Sequence, residues 1–485
     1  MRMRRYTKAI AACLSPLLLI AAAPAWTPDP WLADLAQVRT AIEQDYPNRD
    51  WLTGEREVLL DRWFERTASA IRASHNDADA RRALGSLIER FNDGHVSISW
   101  PAPEFAEDIA SGNQSPPVPP PSIAAFCARQ GYDAGQVTAG TASAVPNYRT
   151  IDGGGPFKAG LVSAKGRSIG VVRIGAFSPQ GYPAACEQAV AKLRIAFQQP
   201  CDSACDDRLS AEASAIMTRG LITTIERLRA AGAKVLLVDI TRNGGGTDWA
   251  EVAARIVSPV SLHSAPIAVL RGDAWVRRWS DLATRLRQEG ERASDADRAT
   301  LFGYAARAQA IANGLRPCAG PDCSRLARAG FASGLVAELP ASKLNGKNWG
   351  ADVFSPAQFP YRDSVWTGPL IVLVDDESWS AAEQFAALLQ DNNAAVVMGS
   401  RTGGAGCGHI DGNVPIILTH SKAKLELPNC VRLRKDGTNE VSGIVPDVAT
   451  GVRWNDGPTF AGRLSNARLP EAVARAIALR TRSKR

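Results

Sequence analysis

Histidine is scarce in this chain, with five in 485 residues. None of them stands in the Cys/His spacing of a zinc site, so nothing suggests a metal, and no other cofactor is indicated. A phosphate loop is also missing. Gly244–Gly246 lacks both the Gly-Lys-Ser/Thr ending and the Gly-x-Gly-x-x-Gly spacing. No segment repeats at a fixed period, which excludes solenoids and propellers. Beyond the first 25 residues no apolar run is long enough to span a membrane. A strong excess of one charge is lacking too. The formal net charge is +7, but Arg2, Arg4, Arg5 and Lys8 sit at one end and Arg480, Arg482, Lys484 and Arg485 at the other. The body between is close to neutral, and no basic face argues for a nucleic-acid partner.

What is present begins with a secretory pattern. The N-terminal cations precede an apolar stretch, Ala9–Ala23, interrupted by Pro16. Ala23-Pro24-Ala25 then supplies the small residues of a cleavage site before Trp26. Residues 1–25 are therefore expected to be a signal peptide, and the mature protein to be exported, periplasmic or extracellular. Ile10-Ala11-Ala12-Cys13 is a faint lipoprotein box, set aside because the apolar stretch lies mostly after the cysteine. Without Cys13 eight cysteines remain, an even number suited to an oxidising compartment. Cys201 with Cys205 and Cys318 with Cys323 are close enough to bridge short loops. Cys407 with Cys430 and Cys127 with Cys186 are left over, one connectivity among the many that eight cysteines allow.

Roughly 460 residues follow the signal, enough for two or three domains. Trp31–Phe91 carries three helical stripes. They are Leu35, Val38, Ile42 and Tyr46; Val58, Leu59, Trp63 and Ile71; and Ala80, Leu84, Leu87, Ile88 and Phe91. This N-terminal helical domain, 26–100, closes with the turn Asn92-Asp93-Gly94-His95 and the alternating strand Val96–Trp100. Residues 101–165 read as a Pro/Gly-rich linker region, with an extended run at Pro116–Pro121.

An α/β core is expected over 166–455. Ile169–Ile174 is a strand, Ala211–Ala231 a helix, and Lys234–Ile240 a near-continuous apolar strand of the kind buried on both faces. The loop Thr241–Gly246 and a helix, Trp249–Ile256, complete one strand–loop–helix unit. A mostly helical insertion near 275–350 precedes a second such unit. There the strand Leu370–Val374 leads through Asp375–Glu377 and Ser378-Trp379-Ser380-Ala381-Ala382-Glu383 into a helix. A further strand, Val396–Met398, ends in the glycine-rich loop Gly399–Gly408. Short strands at Val414–Leu418, Leu425–Leu427 and Val431–Leu433 follow. Residues 456–485 add a helix, Leu469–Leu479, and a basic tail.

Ser380 stands at a strand-to-helix turn, where free amides and the helix dipole favour developing negative charge. That suits a nucleophile whose reaction makes an oxyanion. Ser380 and Glu383 also have the spacing of a capping box, in which the serine is a helix cap. Gly244–Gly246 reads either as a tight turn or as an oxyanion donor. His95 and His409 are rival bases. Glu440 alone is an ordinary loop acid.

Taken together, and in this order, the stretches resemble the tail-specific, or C-terminal processing, serine peptidase superfamily. The similar motifs are Asp93-Gly94-His95, Gly170-Val171-Val172-Arg173-Ile174, Asp239–Gly246, Ser378–Glu383 and Gly443-Ile444-Val445-Pro446-Asp447. The resemblance implies a crotonase/Clp-protease-like spiral α/β core behind an N-terminal helical bundle. One branch of the superfamily uses a Ser/Lys dyad, but its lysine position holds Ala405 here. The tricorn-like and retinoid-binding-protein-like branch uses Ser, His and Glu, which by motif position are Ser380, His95 and Glu440. Tricorn has serine just before its histidine; this chain has Gly94. No clear PDZ module lies between His95 and the core.

The resemblance thus implies acyl-enzyme hydrolysis of peptide bonds. Ser380 attacks, His95 transfers the proton, Glu440 orients His95, and the amides of Gly245 and Ala381 hold the oxyanion. The substrate would be a peptide or unfolded protein. Two rival readings are a catalytically silent peptide- or ligand-binding relative and a hydrolase of a non-peptide ester or amide. The oligomeric state is not legible.

Overall fold

Four valines mark the centre of the fold. Val172, Val238, Val372 and Val397 are register partners across four adjacent parallel strands, and none exposes any surface. The strands are Arg167–Arg173, Val235–Asp239, Leu370–Val374 and Val396–Gly399. Val448–Ala449 continues the sheet in parallel at one edge. Ala159–Ala164 and Arg149–Ile151 continue it antiparallel at the other, giving seven strands. These relations come from a computed structural model that describes residues 26–102 and 119–483, apart from 321, 345, 411 and 413. The expected signal stretch with Cys13, most of the proline-rich segment, Lys484 and Arg485 lie outside the described residues.

Alternate strand residues enter two separate cores. Leu236, Val238 and Val372 pack with the helices Ser203–Ala230, Trp249–Val257 and Ala381–Asp391. Val235, Leu237, Ile371 and Leu373 pack with Leu469, Ala472, Val473 and Ala476 of the helix Pro458–Arg482. Burial on both faces is why these strands carry uninterrupted apolar runs. Two helices exceed their expected limits. The first starts at Ser203 because Asp202 caps it, its Oδ1 accepting the Cys205 amide at 2.8 Å. The last contains Pro470 in its interior.

Residues 119–165 differ from the expected linker. They form a helix, Ile123–Arg129, and the two antiparallel strands at that end of the sheet. Phe126 and Phe157 are buried in the main core, and Cys127 is bonded to Cys186. A three-residue edge strand and a neighbour made largely of small residues carry too little apolar pattern to stand out. The other disulfides join Cys201 to Cys205, Cys318 to Cys323 and Cys407 to Cys430.

The N-terminal helices Asp29–Asp45, Leu60–Arg72 and Asp77–Glu89 bury the first and third stripes as expected. The middle helix buries Ile71 of its expected stripe together with Phe64 and Thr67; Val58 and Trp63 are partly buried, and Leu59, just before the helix, is 56% exposed. Their core runs on into Leu418, Leu425, Leu427 and Val441 of the α/β part. Ser97–Ser99 pairs antiparallel with Lys424–Glu426, so the turn carrying His95 is fastened to strands late in the chain. The insertion holds the helices Asp273–Arg292 and Asp295–Gly314 and the strand Leu326–Phe331. That strand pairs with Pro266–Leu270, whose other edge takes Val431–Arg432. Among the described residues no helix is long and apolar enough to cross a membrane.

Candidate active site

The parallel strands send their carboxyl ends to one edge of the sheet, where open α/β sheets hold their ligands. Val235–Asp239 leads there into Thr241–Thr247, Leu370–Val374 into Asp375–Ser380, and Val396–Gly399 into Ser400–His409. The turn before Ser380 is built by Asp375. Its Oδ1 accepts the amides of Arg242 at 2.8 Å and Glu377 at 3.2 Å. Burial pushes its carboxyl up to about 6. Ser378, the other serine of the motif, is fully buried and donates to the Ile240 carbonyl at 2.9 Å. It is a structural residue.

Ser380 is half-buried and has φ +56° and ψ −113°. Such a backbone is strained for a residue with a side chain. The helix Ala381–Asp391 starts directly after it. The Ser380 amide donates to Glu383 Oε2 at 3.0 Å, while its Oγ lies 3.1 Å from His95 Nε2. The capping spacing and the nucleophile geometry therefore coexist.

His95 is held from two sides. Its amide donates to Asp93 Oδ1 at 3.0 Å. Asp93 Oδ2 in turn accepts Tyr46 Oη–H at 3.0 Å and Asn48 Nδ2–H at 2.9 Å. The imidazole Nδ1 faces the Ala405 carbonyl oxygen at 2.8 Å. A carbonyl only accepts, so the neutral ring carries its proton on Nδ1 and turns the Nε2 lone pair to Ser380. That is the tautomer a general base needs. Burial lowers the His95 pKa from its usual value. His409 and Arg432 add to this, while the Ala405 carbonyl and Asp93 oppose it.

His409 packs edge-on against His95 with ring centroids 5.8 Å apart, but its Nε2 lies 3.0 Å from the Leu427 carbonyl oxygen. Ser380 is thus paired with His95 and not with its rival. Gly94 and Gly408 allow this packing. A Cβ on Gly94 would lie 2.8 Å from the Ala405 Cβ, and one on Gly408 2.5 Å from His95 Nε2. A serine at position 94 has no room.

Glu440 was expected to orient His95. It is fully buried and instead holds Arg432, whose Nε donates to its two oxygens at 2.9 and 2.8 Å. A buried guanidinium needs a carboxylate partner, and the Ala405 carbonyl takes the place beside the imidazole. Gly245 also differs from expectation as an oxyanion donor, because its amide donates to Asn243 Oδ1 at 2.8 Å. What Gly245 supplies is closeness. Its φ is +106°, and a Cβ there would meet Ser380 Cβ at 2.9 Å and the Ala381 nitrogen at 3.0 Å. Ala381 is the first residue of the helix, at the position where backbone amides lack helical partners.

Glu383, quoted in the motif only for its spacing, organises the glycine-rich loop. Its Oε1 accepts Thr402 Oγ1–H at 2.7 Å and the Gly404 amide at 2.8 Å. Its Oε2 accepts the amides of Ala405 at 2.8 Å and Gly406 at 3.1 Å. Burial and the Glu440 charge raise its pKa, and these donors oppose the shift. A cavity of about 1020 Å³ is lined by Gly246, His409 and, from the insertion, Trp275, Trp279 and Phe331; it reaches the pair's neighbours Gly246 and His409, but neither Ser380 nor His95 lines it.

Residues 168–450 match the family model described as Peptidase family S41. The chain belongs to that family. An S41 peptidase is a serine-type hydrolase, so its substrates are peptides or proteins. The fold is similar to that of mature CPAF complexed with lactacystin, with a TM-score of 0.57 and 14% identity over 94% of this chain and 99% of that one. Mature CPAF alone gives a TM-score of 0.56 and 13% identity over 94% and 99%. The tricorn protease gives 0.35 and 11% over 93% of this S41 chain and 37% of its own. No curated protein matches the chain by sequence.

Proposed function

We propose that this S41 peptidase is an exported enzyme that cleaves polypeptides through an acyl-enzyme on Ser380, with His95 as general base. One observation carries the reading: Ser380 Oγ lies 3.1 Å from His95 Nε2 while Nδ1 is fixed on a carbonyl. The reading follows the His-dependent, tricorn-like branch, because Ala405 offers no lysine amine.

Ser380 Oγ attacks the scissile carbonyl as His95 takes its proton. The tetrahedral oxyanion is held by the Ala381 amide at the helix N-terminus. His95 then gives the proton to the leaving amine, which departs and leaves the acyl group on Ser380. Water, deprotonated by His95, attacks the ester; the acyl–Oγ bond breaks as His95 returns the proton to Ser380 and the acid product departs. Glu440 acts in this scheme through Arg432 and not by touching the imidazole. The polypeptide occupies the cavity beside Gly246 and His409. The secretory pattern of residues 1–25 and four disulfides support export.

The test is covalent labelling of the purified mature protein by a fluorophosphonate, followed by peptide mapping. Label on Ser380, lost in His95→Ala, is the expected result. An unlabelled, folded protein favours the catalytically silent relative instead.

A further inference from the structure

Arg432 lies at the end of a two-residue strand and its side chain is 7% exposed. Besides Glu440, its guanidinium reaches three places. Nη1 donates to Gln384 Oε1 at 3.1 Å, and Nη2 donates to the carbonyls of Gly406 at 3.0 Å and Ser380 at 3.3 Å. Gln384 belongs to the nucleophile helix, and its Nε2 donates to the buried Glu251 at 3.0 Å. One planar fork thus joins the nucleophile, the helix behind it and the loop that holds the base. Only arginine presents donors in that fixed arrangement.

Two of these contacts bear on chemistry. In a trans peptide the carbonyl and the following amide point in opposite directions. Holding the Ser380 carbonyl therefore fixes the direction of the Ala381 amide. Holding the Gly406 carbonyl fixes the residue next to Ala405, whose own carbonyl sets the His95 tautomer.

We infer that Arg432, charge-balanced by Glu440, is the positioning residue that sets the Ser380–His95 geometry and aims the Ala381 amide at the oxyanion. This rests on the reading of Ser380 and His95 given above. A purely structural buried ion pair would behave differently. Replacing both partners of such a pair by apolar residues is often neutral or stabilising.

The experiment uses the full mature chain, with fluorophosphonate labelling rate, its pH dependence and melting temperature read together. The double variant Arg432→Met/Glu440→Met is expected to melt close to the wild type but to label roughly a hundredfold more slowly. Its acid limb should stay near the wild-type position, because the opposite charges of Arg432 and Glu440 leave together. Arg432→Lys keeps the charge and loses the fork, so it should label slowly with an unmoved limb. A wild-type rate in the double variant or in Arg432→Lys overturns the inference alone. A wild-type chain that takes no label overturns the catalytic reading and this inference with it.

Discussion

The Ala405 carbonyl oxygen lies 2.8 Å from Nδ1 of His95, across 310 residues of sequence. In the Ser/Lys branch of the superfamily this chain resembles, position 405 would carry a lysine. Here the same loop contributes a backbone acceptor and turns His95 Nε2 toward Ser380 Oγ.

The first prediction concerns the base. His95→Ala should lower turnover by roughly a thousandfold or more, as removal of a triad base does. His409→Ala should stay within about tenfold, roughly 1.4 kcal/mol, because its Nε2 faces Leu427 and not Ser380. Steady-state kinetics on a generic protein substrate checks both. The reverse ranking refutes the assignment.

The pH profile gives a second prediction. Burial disfavours the imidazolium of His95, so its folded pKa is lowered and the neutral base survives into more acid solution. The acid limb of kcat/KM should lie below the ordinary histidine value of about 6.5. A limb above that value would show that a carbonyl and Asp93 outweigh desolvation.

Ser380 provides a third. Ser380→Ala should abolish labelling and turnover with a stability change of about 1 kcal/mol or less. Ser380→Gly should be equally inactive yet melt higher than the alanine variant, because glycine accepts φ +56° without strain. Calorimetry on the two variants decides this. An alanine variant that melts higher would mean the turn is relaxed.

The Cys407–Cys430 bond yields a fourth. It ties the loop bearing the Ala405 acceptor to the strand bearing Arg432. Replacing both cysteines by serine should cost about 3 kcal/mol and slow turnover at temperatures where the protein is still folded. Replacing Cys318 and Cys323, which close a five-residue separation in the insertion, should leave turnover unchanged. Equal effects of the two pairs would count against a bracing role.

Much of the core was legible because two-sided burial leaves a plain trace. Val235–Asp239 and Leu370–Val374 are apolar at every position except Asp239. Arg149–Ile151 left no such trace, being three residues long and partly exposed at the sheet edge, and neither did Ala159–Ala164, which is mostly buried but rich in small residues. At the site, motif order points to Ser380 and His95, and the pair does meet. The same order assigned Glu440 to His95, since sequence does not show that a buried guanidinium stands between elements. Arg432 was read only as part of the strand Val431–Leu433. A lone cation in an apolar strand was the available signal.

The bundle that delivers His95 and the core that delivers Ser380 are built from opposite ends of the chain, 285 residues apart. Their shared surface is closed by Leu418, Leu425 and Val441, all later than the nucleophile. During synthesis the base emerges first, then the serine, and last the strands that bring them together. A nascent or partly folded chain therefore carries both reactive groups without a working site. On the proposed reading, activity therefore waits until Leu418, Leu425 and Val441 have closed that shared surface.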